Sequence, residues 1–460
     1  MYRRRFLQAL GASAAWSSTQ IARAALRPPN IVLIVADDLG FGDVGAYGSS
    51  LSTPNIDKMA SEGMLFRQVC APSSVCSPSR AGLLTGRYGA RVGVPDVLYP
   101  NSDDGLAANE MTLASSLRTA GYRTLCAGKW HLGSKPEYMP TNRGFDEFFG
   151  LPYSNDMSPL PLMRNLRTVE PTANNNLLTQ RYTAQAGEWI KIAGDQPFFL
   201  YMAHNVPHLP FGVSDEFRGK SKMGGYADAV MELDWSVGQV LGQIRDAGMD
   251  ENTLVMFTSD NGPWYQGSAG RLRGRKGDTW EGGMREPFIA RMPGRIPAGG
   301  VSDAVGSLLD IFPTMAKLAG APLPELPLDG VDLWPAFTGE QATIDRDVLL
   351  YFDHWDIQCA RLGPWKLHLS RTNVPAWTEE PSEGRVNLPL PRPELYNLER
   401  DPAESYECGR EYPEVVADIR TRVEALLPGF PGAVQNAWRD TVTTQTKWTP
   451  AGASPALKQP

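Results

Sequence analysis

Asn30-Ile31-Val32-Leu33-Ile34-Val35-Ala36-Asp37-Asp38-Leu39-Gly40 decides the fold. Its first seven residues are apolar and β-branched without alternation, as a parallel strand covered on both faces should read. The run stops abruptly in two adjacent carboxylates. Thr253 to Thr258 (Thr-Leu-Val-Met-Phe-Thr) repeats the arrangement and runs into Ser259-Asp260-Asn261-Gly262. Buried strands that end in polar loops, with helical stretches between them, predict an open α/β sheet whose site lies beyond the carboxyl ends of the strands.

The intervening segments suit that plan. Thr53-Pro54 caps and opens a helix through Ile56, Met59 and Ala60 that stops near Gly63, and Thr112 to Thr119 is a second helix. The strand Tyr122 to Ala127 delivers Gly128-Lys129-Trp130-His131-Leu132-Gly133. A helix over 181–193 precedes the strand Pro197 to Ala203, which leads to His204-Asn205-Val206-Pro207-His208. Tyr226 to Ala247 places Val230, Leu233, Val237, Val240, Leu241 and Ile244 on one helical face.

After about residue 345 the texture changes to short strand-like pieces, Val348 to Phe352, Gln358 to Leu362 and Trp365 to Leu369, with a helix over Tyr412 to Leu427. The expected organisation is a catalytic domain over 28–345, a smaller antiparallel α+β subdomain over 346–440 and a surface tail over 441–460. His354 and His368 fall in the subdomain, as structural or substrate-rim residues.

Composition narrows the function. The chain has 460 residues, 42% hydrophobic and 21% charged, which fits a large globular enzyme. Residues 1–24, with Arg3-Arg4-Arg5-Phe6-Leu7, an apolar run to Trp16 and Ala22-Arg23-Ala24, predict a twin-arginine-like export signal and hence a periplasmic or secreted protein. The run is too short to span a bilayer. The formal charge of −7 becomes more negative once this leader is removed, which excludes a nucleic-acid partner. Five cysteines, Cys70, Cys76, Cys126, Cys359 and Cys408, are too few and too odd in number for a disulfide framework.

Asp37-Asp38-Leu39-Gly40 in isolation reads first as a solvated turn. The second pair after the second strand favours a cation between them, since adjacent carboxylates repel otherwise. Asp37, Asp38, Asp260 and Asn261 together make a hard, all-oxygen ligand set for Ca²⁺ or Mg²⁺. Lys129 and His131, at i and i+2, would point to one side of an extended segment. Val75-Cys76-Ser77-Pro78-Ser79-Arg80-Ala81-Gly82-Leu83-Leu84-Thr85-Gly86-Arg87 places a cysteine at a helix N-terminus, where unpaired N–H groups favour an anion, with Arg80 one turn on. A lone cysteine is by default a packing residue, and a thiolate is a poor partner for a hard cation.

Cys-x-Pro-Ser-Arg followed by Leu-Leu-Thr-Gly-Arg resembles the signature of the formylglycine-dependent sulfatases, and from about Pro29 to about Gly409 the chain is similar to the arylsulfatase A and N-acetylgalactosamine-6-sulfatase types of that family. The resemblance implies an alkaline-phosphatase-like α/β architecture: a large, mostly parallel central sheet between helices, plus the smaller antiparallel subdomain. It implies oxidation of Cys76 to Cα-formylglycine by a formylglycine-generating enzyme, and hydrolysis of a small-molecule or glycan sulfate ester. It assigns the metal to Asp37, Asp38, Asp260, Asn261 and residue 76. Arg80 would polarise the nucleophile, Lys129 and His208 contact the sulfate, His131 lie near the formylglycine hydroxyl and Lys276 near the bridging oxygen. Ser154, in Phe149-Gly150-Leu151-Pro152-Tyr153-Ser154-Asn155-Asp156, would touch the aldehyde hydrate, whereas Asn155 replaces the histidine expected there. Arg285 and Glu281, in the Lys-Gly-x-x-x-Glu-Gly-Gly-x-Arg-x-Pro stretch, would be structural supports, as would His204. Phosphonate monoester and phosphodiester hydrolases share the fold and sometimes the cysteine motif, and a non-catalytic Ca²⁺-dependent binder of sulfated glycans is a third reading.

Overall fold

The computed structural model describes residues 27–375 and 384–447. The export-signal segment and the last residues of the expected tail lie outside the described residues.

The central sheet is organised around β1 (Asn30–Ala36), which pairs in parallel with β8 (Thr253–Ser259) on one side and β7 (Phe198–Ala203) on the other. Further strands are β2 (Met64–Cys70), β3 (Arg123–Lys129), β4 (Glu147–Leu151), β5 (Leu162–Arg164), β6 (Arg167–Glu170), β9 (Arg285–Arg291), β10 (Gly300–Ser302) and β11 (Gly306–Ser307). Their order is β10-β2-β9-β8-β1-β7-β3-β4-β5-β6, with β11 also on β2. The block from β8 to β4 is parallel, and β9, β5 and β6 are antiparallel to their neighbours.

The unalternating pattern of β1 has its reason in two cores. Ile31, Leu33 and Val35 pack with Leu83, Leu84, Phe312 and Met315 on one face. Val32, Ile34 and Ala36 pack on the other with Tyr182, Trp189 and the Val230, Leu233, Val237 and Val240 stripe of the Gly225–Asp246 helix. Every residue from Ile31 to Ala36 is fully buried, and each larger one contributes roughly 1.5–3 kcal/mol relative to exposure.

Helix Pro54–Ser61 is present, but Thr53 does not cap it through its side chain. The Thr53 hydroxyl donates to Asp57 and accepts from the Gly45 N–H, while Asp234, on the Gly225–Asp246 helix, accepts from the Asn55 and Ile56 N–H groups at 2.9 and 2.8 Å. A distant carboxylate has taken over a local signal.

The second sheet is antiparallel, β12 (Leu349–Asp353), β13 (Asp356–Leu362), β14 (Trp365–Thr372) and β15 (Asn387–Asn397) in that order. Helices Pro413–Leu426 and Gly432–Lys447 cover it, burying Ile419, Val423, Val434 and Trp438 against Ile357, Ala360, Leu367 and Leu395. The tail expected from Thr441 is therefore corrected: Thr441 is buried in the final helix, and Gln445 Nε2 donates to the Leu369 carbonyl at 2.9 Å. No helix among the described residues is long and apolar enough to cross a membrane.

Candidate active site

Strand register brings the site together. Ala36 pairs with Ser259 and Val35 with Ala203, so β1, β7 and β8 end level and Asp37, His204 and Asp260 emerge side by side. Asp38 then turns into the left-handed region at φ 63°, so the two consecutive carboxylates converge instead of alternating as they would in a strand. Gly128 makes the neighbouring approach: its φ is +114°, and a Cβ there would lie 1.8 Å from the Ala203 carbonyl oxygen.

Cys76 is the first residue of the Cys76–Thr85 helix, and its Sγ lies 3.7 Å from Asp37 Oδ1. Burial pushes its thiol up to about 12 in spite of Lys129 and Lys276 nearby. Arg80, one turn on and fully buried, donates from Nε and pairs through Nη2 with Asp260 at 2.8 Å, and Nη1 donates to the Lys129 carbonyl at 3.1 Å. Lys129 Nζ donates to Asp37 at 2.7 Å and to Ser154 Oγ at 3.1 Å. Lys276 Nζ lies 2.8 Å from Asp38 Oδ1 and 2.9 Å from Oδ2, and its loop is tied down by Lys276 N–H to Pro263 and Gly277 N–H to Ser74.

Charge follows from this packing. Burial alone would raise Asp37, but Lys129, His208, Arg80 and Lys276 hold it well below the ordinary range. Burial pushes Asp260 up to about 6, with the Asp37 and Asp38 charges adding to it and Arg80 and Lys129 opposing. Lys276 is raised because Asp38 outweighs its burial.

Burial lowers both site histidines. His131 is held far below the ordinary range by burial and by the Lys129 and Arg80 charges. Its Nε2 is bonded to the Leu98 carbonyl at 2.9 Å, which leaves a buried Nδ1 without a partner. The extended Lys129–His131 geometry is corrected: β3 ends at Lys129, and His131 sits at φ 62° after Trp130 has turned into the core. His208 is lowered by burial and by Lys276, bonds the Leu209 carbonyl through Nδ1 and points Nε2 to within 3.6 Å of Asp38. His204 faces elsewhere, toward Ser236 Oγ at 3.3 Å, and burial pushes it down to about 3.

The donors form a group that could hold a metal ion. Ligand atoms of Asp37, Asp38, Cys76 and His208 lie within 4.8 Å of one another, all buried. Asn261 Nδ2 donates to Asp38 at 2.8 Å, while its Oδ1 is buried without a hydrogen-bond partner, an orphaned acceptor that a cation would satisfy. The thiol is the misfit among these oxygens.

Several participants carry no local signal. Both oxygens of Glu286, buried on β9, lack partners among the described residues, and burial plus the Asp260 and Asp38 charges hold its carboxyl well above the ordinary range. The expected support Glu281 accepts from Arg285 at 2.7 Å and from Lys366 at 2.9 Å. Lys366 also reaches Glu404 at 3.1 Å, and Glu404 accepts from the Glu281 N–H and bonds His368 at 2.7 Å. Only the acidic residue inside the otherwise apolar Phe288–Ala290 run-up could have drawn attention to Glu286.

The sulfatase family model matches residues 29–321, and the model for the C-terminal region of aryl-sulfatase matches 344–457. The chain is 41% identical over 429 residues to arylsulfatase A of Homo sapiens, covering 83% of this chain and 84% of that one. It is 39% identical over 473 residues to N-acetylgalactosamine-6-sulfatase of Canis lupus familiaris, covering 89% and 88%. Among solved structures it is similar to the PsFucS1 sulfatase from Pseudoalteromonas sp., with a TM-score of 0.80 and 28% identity over 90% of this chain and 93% of that one.

Proposed function

The chain belongs to the sulfatase family, and from that premise we propose that it is an exported sulfuric ester hydrolase, acting on a sulfated sugar or an aryl sulfate, whose nucleophile is made at residue 76. The observation that carries the reading is the state of Cys76. Its thiol is buried, pushed up to about 12 and grouped with the Asp37 and Asp38 carboxylates and His208, so it is neither a competent nucleophile nor a fitting ligand for a hard cation. Conversion to Cα-formylglycine by a formylglycine-generating enzyme would supply, through the hydrated aldehyde, an oxygen nucleophile whose sulfated form releases sulfate without a second attack by water.

Asp37, Asp38, Asp260 and Asn261, with residue 76, would hold Ca²⁺ or Mg²⁺, which supplies Lewis-acid polarisation of oxygen. The remaining work falls to the chain. Lys129 and Lys276, fixed as cations by Asp37 and Asp38, set positive charge against the sulfuryl and leaving oxygens, where negative charge grows. Arg80 is locked between Asp260 and the Lys129 carbonyl beside residue 76. Ser154 accepts from the Lys129 ammonium and steers it, and Nζ of Lys276, or Nε2 of His208 in its protonated form, gives a proton to the departing alcohol oxygen. His131, with its Nδ1 lone pair free and Nε2–H pinned to Leu98, accepts a proton from a hydroxyl at residue 76.

Release of inorganic sulfate from 4-nitrophenyl sulfate and N-acetylgalactosamine 6-sulfate tests the reading, together with the mass of the peptide carrying residue 76. Sulfate release and a loss of roughly 18 Da from thiol to aldehyde are expected. Turnover of a phosphodiester with no sulfate release from either compound would overturn it.

A further inference from the structure

The loop that carries Lys276 meets the second sheet at Arg385. The backbone on both sides of this residue is fixed by Asn373: Nδ2 donates to the Gly384 carbonyl at 3.0 Å, the Asn373 N–H donates to the Val386 carbonyl at 2.9 Å, and the Val386 N–H returns to Oδ1 at 3.1 Å. From that anchored position the half-buried side chain reaches across to the active-site loop, where Nη2 donates to the Gly277 carbonyl at 3.2 Å. Gly277 follows Lys276, and its own N–H is tied to Ser74, two residues before Cys76. Arg385 therefore lies against the loop that carries Lys276, close to residue 76 along that chain of contacts.

No carboxylate among the described residues pairs with it. The two acids whose ionisation it favours, Asp278 and Asp96, are engaged elsewhere. Asp278 accepts from the Arg275 N–H at 3.1 Å, and Asp96 pairs with His354 at 2.9 Å. Asp96, within electrostatic reach of Arg385, lies two residues before Leu98, whose carbonyl holds His131. Among the described residues the guanidinium thus has one N–H on a neutral carbonyl and no carboxylate partner for the rest of its donor fork. A planar fork of this kind matches the paired oxygens of a carboxylate or sulfate.

We infer that Arg385 is a specificity-determining residue that binds a second anionic group, a carboxylate or a further sulfate, on the alcohol portion of the substrate. The inference rests on the sulfatase reading above and narrows the substrate to a polyanionic sulfated glycan. The bond to Gly277 also couples occupancy of this position to the loop that carries Lys276.

Three probes test it: N-acetylgalactosamine 6-sulfate, its 4,6-disulfate, and the disaccharide in which glucuronate is linked to N-acetylgalactosamine 6-sulfate. The first carries one anionic group, the second adds a sulfate and the third a carboxylate. The wild-type enzyme is expected to favour at least one dianionic probe in kcat/KM, and which one identifies the group. In Arg385→Gln the ratio of that kcat/KM to the value for the monosulfate should fall about tenfold or more, and Arg385→Lys should restore part of it, since charge returns without the fork. An equal loss for all three probes would make Arg385 a support of the Lys276 loop only and would overturn the inference, as would unchanged ratios. Release of sulfate from none of the probes or from 4-nitrophenyl sulfate by the wild type would instead remove the sulfatase reading itself.

Discussion

Cys76 Sγ lies 3.7 Å from Asp37 Oδ1, while the other oxygen of that carboxylate holds the Lys129 ammonium at 2.7 Å. The nucleophile position is thus part of the charged cluster and touches it through one short side chain. Cys76→Ala should abolish sulfate release, by at least about 10³-fold, yet cost only about 1 kcal/mol of stability. Cys76→Ser should accept one sulfuryl group and stop, because a serine ester lacks the second hydroxyl that expels sulfate. Mass spectrometry of the serine variant after incubation with substrate reads this directly, and steady turnover by it would defeat the mechanism.

The buried carboxylates of Asp37 and Asp38 converge, with Asp260 held beside them by Arg80 and the orphaned Asn261 carbonyl alongside. A cation among them relieves their repulsion in the folded state and finds no such cluster in the unfolded one. Ca²⁺ or Mg²⁺ at a hundred times its Kd should therefore stabilise the protein by about 2.7 kcal/mol, seen as a higher Tm than in chelator. Asn261→Ala should shift the response to higher metal concentration. Identical melting with chelator and with either metal would remove the assignment of the site to a cation.

How much of this was legible in the sequence depends on distance along the chain. The run Ile31–Ala36 has helices on both faces, so its composition alone carried the strand, and Cys76 and Arg80 are one turn apart on one helix. What was illegible depends on the third dimension. β15 carries Pro389, Pro391 and Pro393, which argue against a strand, and the strand survives because it is an edge that pairs only with β14. The Gly432–Lys447 helix is rich in threonine and forms because Val434 and Trp438 are buried beneath it. His131 escapes a strand-based reading because the chain reverses into the left-handed region after β3.

Lys366 is the fully buried link between Glu281 and Glu404 and joins the second sheet to the loop that carries Lys276. Its removal would strand two carboxylates away from water. Lys366→Met should destabilise the protein by about 3–5 kcal/mol, read from denaturant midpoints. The double variant Lys366→Met, Glu281→Gln should recover part of that loss, because one of the stranded charges is gone. A loss below about 1 kcal/mol in the single variant would mean that Arg285 and Arg361 suffice to neutralise the pocket.

His354 pairs with Asp96 at 2.9 Å and with Asp353 at 3.4 Å, contacts that outweigh its partial burial and push it up to about 10. A histidine whose folded value exceeds its unfolded one binds its proton more tightly when folded. Its contribution is therefore complete below the unfolded value of about 6.5 and is lost as pH rises through about 10. Because the ring is half exposed, the contribution is held by screening to about 1 kcal/mol. The Tm gap between wild type and His354→Gln should be widest near pH 6 and close as pH approaches about 10, and it should shrink in high salt. A gap that stayed constant across that range would assign His354 a packing role at its left-handed turn, φ 53°, in place of an ionic one.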